Sequence, residues 1–215
     1  MIDKETLARV VEFHGHMCPG LAMGVRAAEV ALAEIGPHSA DEEVVAIVET
    51  DMCGVDAVQF LTGCTFGKGN FIHHDHGKNA YTFIRRSDGK AVRLSPRPRS
   101  FGAPDTDPER AALMASVRSG TAGPEERERF WAVQQERSTA LLEVPIEELY
   151  DVREVDVAMP AMARVMASVD CAVCGEPTME TRIRRLDGDE LCGPCFDARL
   201  AGRSPVAPPT RRPGA

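Results

Sequence analysis

The chain of 215 residues is long enough for one domain of ordinary size with a small appendage, and its 43% hydrophobic residues suffice for a packed core. The net charge of −8 argues against general binding of nucleic acids and other polyanions. No run approaches the roughly 18 apolar residues that span a bilayer, and the N-terminus has no apolar signal segment. We therefore expect a cytoplasmic protein without membrane contact, in which paired cysteines indicate metal or redox sites rather than disulfides.

Hydrophobic patterns and turn residues predict the following elements in chain order. Helices are expected near Asp3 and Pro19 and over residues 55–61, 108–117 and 124–142, and strands over residues 44–48, 80–86, 90–94 and 150–159. Asp3 is a suitable N-cap, and Pro19 suits the first turn of a helix. Residues 87–89 (Ser-Asp-Gly) are typical of a hairpin turn. Because helices lie on both sides of the strands in sequence, the pattern indicates an α+β or α/β core.

Four cysteines near the C-terminus have the spacing of a closed metal site. They form two Cys-x2-Cys pairs separated by seventeen residues: Cys171, Cys174, Cys192 and Cys195. Four thiolates complete a tetrahedral zinc shell without water. Between the pairs we expect a strand over residues 179–184 and a turn at 187–189, and the second pair opens a short helix. This knuckle, hairpin and helix predict a treble-clef zinc finger, in which the metal replaces most of a hydrophobic core.

The remaining cysteines lie in the first third of the chain and indicate an open site: they are Cys18, Cys53 and Cys64. His14, His16 and Cys18 alternate across one turn, so that a subset of them can face a pocket. Soft or borderline metals take two to four nitrogen and sulfur donors of this kind. Cys53 is expected at the start of a helix, where the macrodipole favours a thiolate.

Cys53 and Cys64 flank one short predicted helix, whose ends are roughly 12–15 Å apart at about 1.5 Å of rise per residue. Both sulfurs therefore reach one ion only if the helix is shorter or the loops fold back. Otherwise one of the pair is a ligand, and the other is a redox partner or a core thiol, which is the usual place of a buried cysteine. His14 has a similar alternative, because it can cap or pack beneath its turn.

Two further polar segments are candidates for ligand binding. In residues 67–70 (Gly-Lys-Gly-Asn), Lys68, Asn70 and free backbone amides can face a phosphate or carboxylate, although the P-loop pattern is absent. A second histidine cluster comprises His73, His74 and His76. On a strand, His74 and His76 would face the same side. This cluster is either a solvated edge or a rim of the pocket at which His74 meets the bound group.

Four motifs follow one another in the core part of the chain. They are residues 13–20 (Phe-His-Gly-His-Met-Cys-Pro-Gly), 51–56 (Asp-Met-Cys-Gly-Val-Asp), 62–70 (Thr-Gly-Cys-Thr-Phe-Gly-Lys-Gly-Asn) and 77–83 (Gly-Lys-Asn-Ala-Tyr-Thr-Phe). Together with the C-terminal cysteine module, they resemble the signatures of the FmdE family of formylmethanofuran dehydrogenase proteins in type and order, over about residues 5–200. Residues 71–76 (Phe-Ile-His-His-Asp-His) depart from the family, which often has an aliphatic-aromatic stretch and a Tyr there, and the extra imidazoles could enlarge the metal site.

The resemblance implies a thioredoxin-like α+β core with a mixed five-stranded sheet flanked by helices, and an auxiliary treble-clef zinc finger. We accordingly expect a core at residues 1–160, a zinc finger at 161–200 and a disordered tail at 201–215. The resemblance also implies a homodimer, and a second metal, zinc in some members, in the core pocket. The positions matching the family's core site are His16, Cys18, Cys53 and Cys64, with His14 next.

Three functions remain open at this point. The first is a metal-binding accessory protein of a molybdenum or tungsten oxidoreductase, because the resemblance implies genes near enzymes of the formylmethanofuran dehydrogenase type. The second is a free-standing zinc- or thiolate-dependent enzyme acting on a small anion, with Cys53 as nucleophile or ligand, His16 as base or ligand and Lys68 as anion clamp. The third is a regulatory module whose zinc finger binds RNA polymerase or nucleic acid, which the net charge disfavours.

Overall fold

The computed structural model describes residues 2–100 and 108–204. The chain forms two compact units, Met1–Ala163 and Arg164–Ala215. Of the tail predicted at residues 201–215, residues 205–215 lie outside the described part of the chain. In the described part of the chain, none of the helices combines the length and the apolar character needed to cross a bilayer.

The first unit contains a mixed sheet and the helices that flank it. Its helices are α1 (Lys4–His14), α2 (Pro19–Glu34), α3 (Gly54–Thr62), α4 (Pro108–Ser119), α5 (Pro124–Glu143) and α6 (Ile146–Leu149). Its strands are β1 (Val44–Val48), β2 (Phe71–His73), β3 (Tyr81–Arg85), β4 (Ala91–Pro96) and β5 (Tyr150–Glu154). The predicted helices and strands are present within a few residues of their expected bounds. Two short elements, β2 and α6, had not been predicted.

The five strands of this sheet have the order β2-β1-β3-β4-β5. β1 and β2 run parallel, and the other neighbouring pairs are antiparallel. This confirms the predicted α+β core with a mixed five-stranded sheet. The last strand is shorter than expected, because its pairing with β4 ends at Glu154 opposite Val92.

Local sequence signals determine where the first two helices begin and end. The backbone amide of Thr6 donates to Asp3 Oδ1 at 2.7 Å, so Asp3 caps α1 as predicted. Gly15 ends α1 with a φ of 96°, a left-handed conformation that favours glycine. Cys18 is the N-cap of α2, and its Sγ accepts a hydrogen bond from the amide of Leu21 at 3.4 Å. The turn between the helices therefore brings His14 and Cys18 to the same place.

Helix α2 packs on both of its faces. One face contacts the sheet, where its buried residues include Met23, Ala27 and Ala31. The other face contacts α1 and α3, with buried residues that include Leu21, Val25 and Ala28, as its periodicity predicted. A Cβ atom added to Gly24 would lie 2.2 Å from the carbonyl oxygen of Gly54. Glycine at position 24 thus permits α2 and α3 to approach closely.

The second unit is a small module built around its cysteines. Its elements are β6 (Ser168–Asp170), β7 (Pro177–Met179), β8 (Arg184–Leu186), β9 (Asp189–Leu191) and α7 (Gly193–Leu200). β6 pairs with β7 and β8 with β9, both antiparallel. The strand expected at residues 179–184 is wrong in its bounds: Met179 instead ends β7 by pairing with Ser168, and a 3-10 turn, Glu180–Arg182, follows. Two hairpins followed by a helix are the treble-clef arrangement.

Candidate metal centres

The four C-terminal cysteines converge in the second unit. The sulfur atoms of Cys171, Cys174, Cys192 and Cys195 all lie within 4.8 Å of one another. The first two lie in and beside the turn between β6 and β7, and the last two lie at the start of α7. Around them pack Val173, Leu186 and Phe196, so the sulfurs occupy the centre of this unit's only described hydrophobic cluster.

Hydrogen bonds from backbone amides favour the thiolate form of one cysteine in this cluster, which suits a bound cation. Burial opposes ionisation of Cys171, but backbone amides, including those of Cys174 and Cys192, outweigh it and lower the pKa of its thiol to about 6. Burial and the neighbouring thiols raise the pKa of Cys195 to about 12. One thiolate is therefore favoured and further thiolates repel one another, so the group needs a positive ion at its centre to ionise fully.

The spacing of the sulfurs fits zinc. At a Zn–S distance of about 2.3 Å, a tetrahedron places its sulfurs about 3.8 Å apart. The Sγ atoms of Cys174 and Cys192 are 3.8 Å apart. Because all four donors come from the protein, a zinc ion here would have no position left for water or substrate. Such a site would be closed, as structural zinc sites are.

A second cluster lies in the first unit, where α1 ends and α2 begins. The donor atoms of His14, His16 and Cys18 lie within 4.8 Å of one another. His14 Nε2 is 3.9 Å from Cys18 Sγ, and the imidazole rings of His14 and His16 are 4.6 Å apart between centroids. The structure thus brings together the histidines and the cysteine of the predicted turn.

The carboxylate of Asp56 orients His14. Its Oδ2 is 2.6 Å from His14 Nδ1, and the side chain of His14 is only 10% exposed. With the Nδ1 proton donated to this carboxylate, Nε2 carries the free lone pair and faces Cys18. A carboxylate bonded to the outer nitrogen of a ligand histidine is the usual support of zinc-binding imidazoles, because it fixes the ring and raises its basicity.

Burial favours the neutral form of two donors of this cluster, His16 and Cys18, in the absence of a cation. It lowers the pKa of His16, which the neighbouring His14 lowers further. Burial also raises the pKa of the Cys18 thiol to about 11, and the nearby Cys53 adds to the rise. Neutral imidazole is the form that binds metals, and a bound cation would favour the Cys18 thiolate.

Cys53 lies beside this cluster, as the N-cap of α3. A Cβ at Gly20 would lie 3.8 Å from Cys53 Sγ and 4.0 Å from Cys18 Sγ, so both sulfurs face the same point above that glycine. Next to Cys53, the buried hydroxyl of Tyr81 has no hydrogen-bond partner among the described residues. A Cβ at Gly54 would lie 2.4 Å from this hydroxyl. Tyr81 therefore offers an unused donor beside Cys53.

Three donors with a neighbouring thiol fit a metal site that keeps a position open. In a tetrahedral zinc site, nitrogen and sulfur ligands lie about 3.6 Å apart, close to the 3.9 Å between His14 Nε2 and Cys18 Sγ. Three protein ligands plus water or substrate is the pattern of catalytic zinc sites. The ring of Trp131 on α5 meets that of His16 edge-on, with centroids 5.1 Å apart, and so forms one wall of the site.

The structure does not bring Cys64 to this cluster. Its side chain is fully buried in the hydrophobic core, and its Sγ donates to the carbonyl of Val44 at 3.3 Å. Cys53 and Cys64 stand at opposite ends of α3. The regular helix between them keeps them apart, as the rise per residue had indicated.

Lys68 and Asn70 also serve the fold rather than the cluster. Lys68 Nζ donates to the carbonyls of residues 39, 40 and 41, at 2.9, 3.4 and 3.2 Å. Asn70 is fully buried and donates to the carbonyl of Val44 at 2.9 Å, while its Oδ1 accepts from the amide of Thr65. Lys68 instead lines a cleft of about 1130 Å³ that none of the His14, His16, Cys18 and Cys53 side chains lines. The predicted anion clamp is thus engaged elsewhere.

The second histidine cluster lies at the edge of the sheet. His73, the last residue of edge strand β2, is exposed, and so are His74 and His76. The rings of His74 and His76 are 5.9 Å apart between centroids, and neither residue belongs to the core cluster. Of the two expected alternatives, a solvated edge or a rim of the pocket, the exposure of these histidines fits the solvated edge.

Two residues that contribute to the core site had not been singled out from the sequence. Asp56 had a visible signal, since it follows Cys53 by three residues and so faces the same side of the first turn of α3. Trp131 is the chain's one tryptophan, but only tertiary packing brings α5 to His16.

Fold and ligand sets define a two-unit α+β protein of the metal-binding class, with one closed and one open cluster of donors. The sequence model of FmdE, described as "Molybdenum formylmethanofuran dehydrogenase operon", matches residues 13–151. The chain belongs to the FmdE family.

The chain is also similar to two individual proteins. A probable S-adenosyl-L-methionine-binding protein of Archaeoglobus fulgidus is 36% identical over 204 residues, which cover 91% of this chain and 53% of the relative. The chain therefore spans about half the length of that protein. The crystal structure of a tungsten formylmethanofuran dehydrogenase FmdE-like protein from Syntrophus aciditrophicus superposes with a TM-score of 0.57 at 21% identity, covering 90% of this chain and 91% of that one. This second likeness concerns the fold.

Proposed function

We propose that the protein is a metal-binding accessory protein of a molybdenum or tungsten enzyme of the formylmethanofuran dehydrogenase type, and that its core site binds a metal or a metal-linked cofactor. The observation that carries the proposal is the convergence of His14, His16 and Cys18, with Asp56 holding the first of them. The family's description supports the partner, because it refers to the operon of such an enzyme.

In this proposal each side chain of the core site has a distinct task. His14 Nε2, a nitrogen of His16 and Cys18 Sγ are the protein ligands. Cys53 Sγ, which faces Cys18 Sγ above Gly20, would hold a sulfur-bearing ligand of the bound metal, and the hydroxyl of Tyr81 can donate to a negative group held there. Since Cys18 is the N-cap of α2, the positive end of the helix dipole also favours its thiolate.

The engagement of Lys68 favours an accessory role over the alternative of a free-standing enzyme. In that alternative Lys68 is the group that binds the anion, and it is bonded to three backbone carbonyls instead. One observation nevertheless supports the enzyme as a second candidate, because three protein ligands with an open position suit a metal-bound nucleophile. In that case Cys53 and His16 are the groups nearest the reacting atoms.

For the second unit we propose a structural zinc ion and a role in docking or in homodimer formation. Arg184 and Arg185, which could have contacted nucleic acid, are paired with Asp197 at 3.0 Å and Glu190 at 2.6 Å. These ion pairs and the net charge of −8 weaken the regulatory alternative.

Metal analysis of the purified protein tests the core site. We expect about two ions per chain in the wild type, one for each cluster, and about one in the double variant Cys18→Ser, His16→Ala. The matched control is Cys64→Ala, which removes a core thiol that is not in the cluster and should retain both ions. Equal metal content in the wild type and the double variant would refute the core site.

The accessory role is tested separately, by expressing the tagged chain in a cell that contains a molybdenum or tungsten formylmethanofuran dehydrogenase. Co-purification of that enzyme with the wild type, and weaker recovery with the metal-free double variant, is the expected result. If the enzyme is never recovered while purified protein turns over a small anionic substrate, the second candidate replaces the first.

A further inference from the structure

A second histidine pair lies on a short loop whose two ends are fastened to the end of β1. The amide of His74 donates to the carbonyl of Val48 at 2.8 Å, and the amide of Lys78 donates to the carbonyl of Glu49 at 2.9 Å. Within the loop, the amide of His76 donates to the carbonyl of His74 at 2.8 Å, which forms a tight turn around Asp75. The two imidazoles are therefore presented by a constrained backbone.

His76 is oriented by a buried carboxylate. Its Nδ1 is 3.3 Å from Glu49 Oε2, and Glu49 is only 7% exposed. The other oxygen of Glu49 is paired with the guanidinium of Arg93 at 2.5 Å, so the carboxylate itself is held in place. Because Nδ1 is directed at Glu49, Nε2 is the nitrogen of His76 that can bind a metal ion. This is the same carboxylate–imidazole support that His14 receives from Asp56.

The distance between the two rings fits a shared metal ion. At a metal–nitrogen distance of about 2.0–2.1 Å, each ring centroid lies about 3.2 Å from the ion, so two ligand imidazoles have centroids about 4.5–6.4 Å apart for angles from 90° to 180°. The rings of His74 and His76 are 5.9 Å apart between centroids. Both residues are exposed, so water can occupy the remaining positions.

We propose that His74 and His76 form a separate binding site for a borderline divalent metal ion such as Ni²⁺, Cu²⁺ or Zn²⁺, with Glu49 as the positioning residue. Imidazole is a preferred ligand of these ions. Asp75, exposed at the top of the turn, adds negative charge beside the pair. Two protein ligands make this a site of readily exchanged metal, unlike the four-cysteine cluster.

The histidine pair and the core site share no ligand, but they lie near the same end of the sheet. β1 and β2 run parallel, so their carboxyl ends lie at the same end of the sheet. His74 follows β2 there, and the segment after β1 leads from Glu49 to Cys53. A metal held by His74 and His76 would thus bind at the sheet end from which Cys53 also emerges.

Titration with Ni²⁺, followed by calorimetry, tests the proposal on the full chain loaded with two zinc ions, one in each cysteine-containing cluster, and freed of loosely bound zinc. We expect one additional site per chain, weakened about tenfold or more by His74→Ala and by His76→Ala, and less strongly by Glu49→Gln. The control is His73→Ala, which removes an exposed imidazole at the same sheet edge that lies outside the proposed pair. It should leave the affinity for Ni²⁺ within about twofold of the wild type.

Two results would overturn the proposal. One is Ni²⁺ binding that neither His74→Ala nor His76→Ala weakens, and the other is an equal loss in His73→Ala, which would indicate unspecific binding by any surface histidine. The double variant Cys18→Ser, His16→Ala separates this site from the core site, since it should keep the additional Ni²⁺ site. Unchanged Trp131 fluorescence in each variant would show that the first unit remains folded.

Discussion

Replacement of Gly24 by alanine should destabilise the first unit, because α2 and α3 touch backbone to backbone at this point. The new Cβ would lie 2.2 Å from the carbonyl oxygen of Gly54 and 2.5 Å from its Cα, whereas ordinary contact begins at 3.4 Å. No side-chain rotation relieves a clash with backbone atoms. The helices would have to separate by more than an ångström along this contact.

The expected loss of stability follows from two opposing effects. Overpacking of this kind costs up to about 3 kcal/mol, and alanine is better than glycine in a helix interior by about 1 kcal/mol. The free energy of unfolding should therefore fall by about 2 kcal/mol in Gly24→Ala. With a urea m-value of about 2 kcal/mol/M, the midpoint would fall by about 1 M at an unchanged m-value.

Urea unfolding followed by tryptophan fluorescence measures this effect in the first unit alone, since Trp131 on α5 is the chain's one tryptophan. Gly67→Ala is the matched control: in residues 2–100 and 108–204, no atom outside the glycine and its chain neighbours lies within 4 Å of a Cβ at that position, so its midpoint should stay close to that of the wild type. A Gly24→Ala protein as stable as Gly67→Ala would refute the close contact between α2 and α3.

Three further predictions concern the metal sites. Asp56→Asn should weaken zinc binding at the core site about 10–100-fold, because His14 loses its carboxylate support; competition with a chromophoric chelator measures it. Cys174→Ser should abolish amide-exchange protection in β8 and β9, because the metal replaces a core in the second unit, while Trp131 fluorescence stays unchanged. Cys64→Ala should keep the zinc content but lower the free energy of unfolding by about 1 kcal/mol in urea, as its bond to Val44 is lost.

Each of these has a clear contrary outcome. Asp51→Asn, which changes an exposed carboxylate five residues before Asp56, should bind zinc like the wild type; equal weakening in both variants would mean that net charge, not orientation, decides affinity. Protected amides in a zinc-free second unit would show that it folds without metal. Loss of zinc in Cys64→Ala would place that thiol in the site after all.

Much of the fold could be predicted because local signals agree with it. Asp3 and Gly15 determine the ends of α1, and the β-branched residues of β1 indicate its burial on both faces. The two Cys-x2-Cys pairs specify their own geometry, because four thiolates spaced in this way satisfy a tetrahedral ion. At these positions the local sequence pattern and the tertiary packing favour the same structure.

The core site was predictable only in part, because several of its contacts are set by tertiary packing. His14, His16 and Cys18 are close in sequence, and one turn brings them together. Cys64 is a cysteine like Cys18, but it lies at the far end of α3. There it is buried, and its thiol donates to a backbone carbonyl. The contacts of Lys68 were unpredictable for a related reason: a lysine in a glycine-rich loop can bind a ligand or hold the loop, and its tertiary neighbours determine which hydrogen bonds it makes.

The contrast between the closed and the open cluster has a consequence for how the protein would acquire and release its metals. An ion enclosed by four thiolates leaves only by breaking several bonds in the centre of a folding unit, so it should stay for the lifetime of that unit. An ion held by His14, His16 and Cys18 has a vacant side at which water or a competing ligand can begin its replacement. The occupancy of the open site would then follow the supply of metal in the cell, while the closed site stays filled.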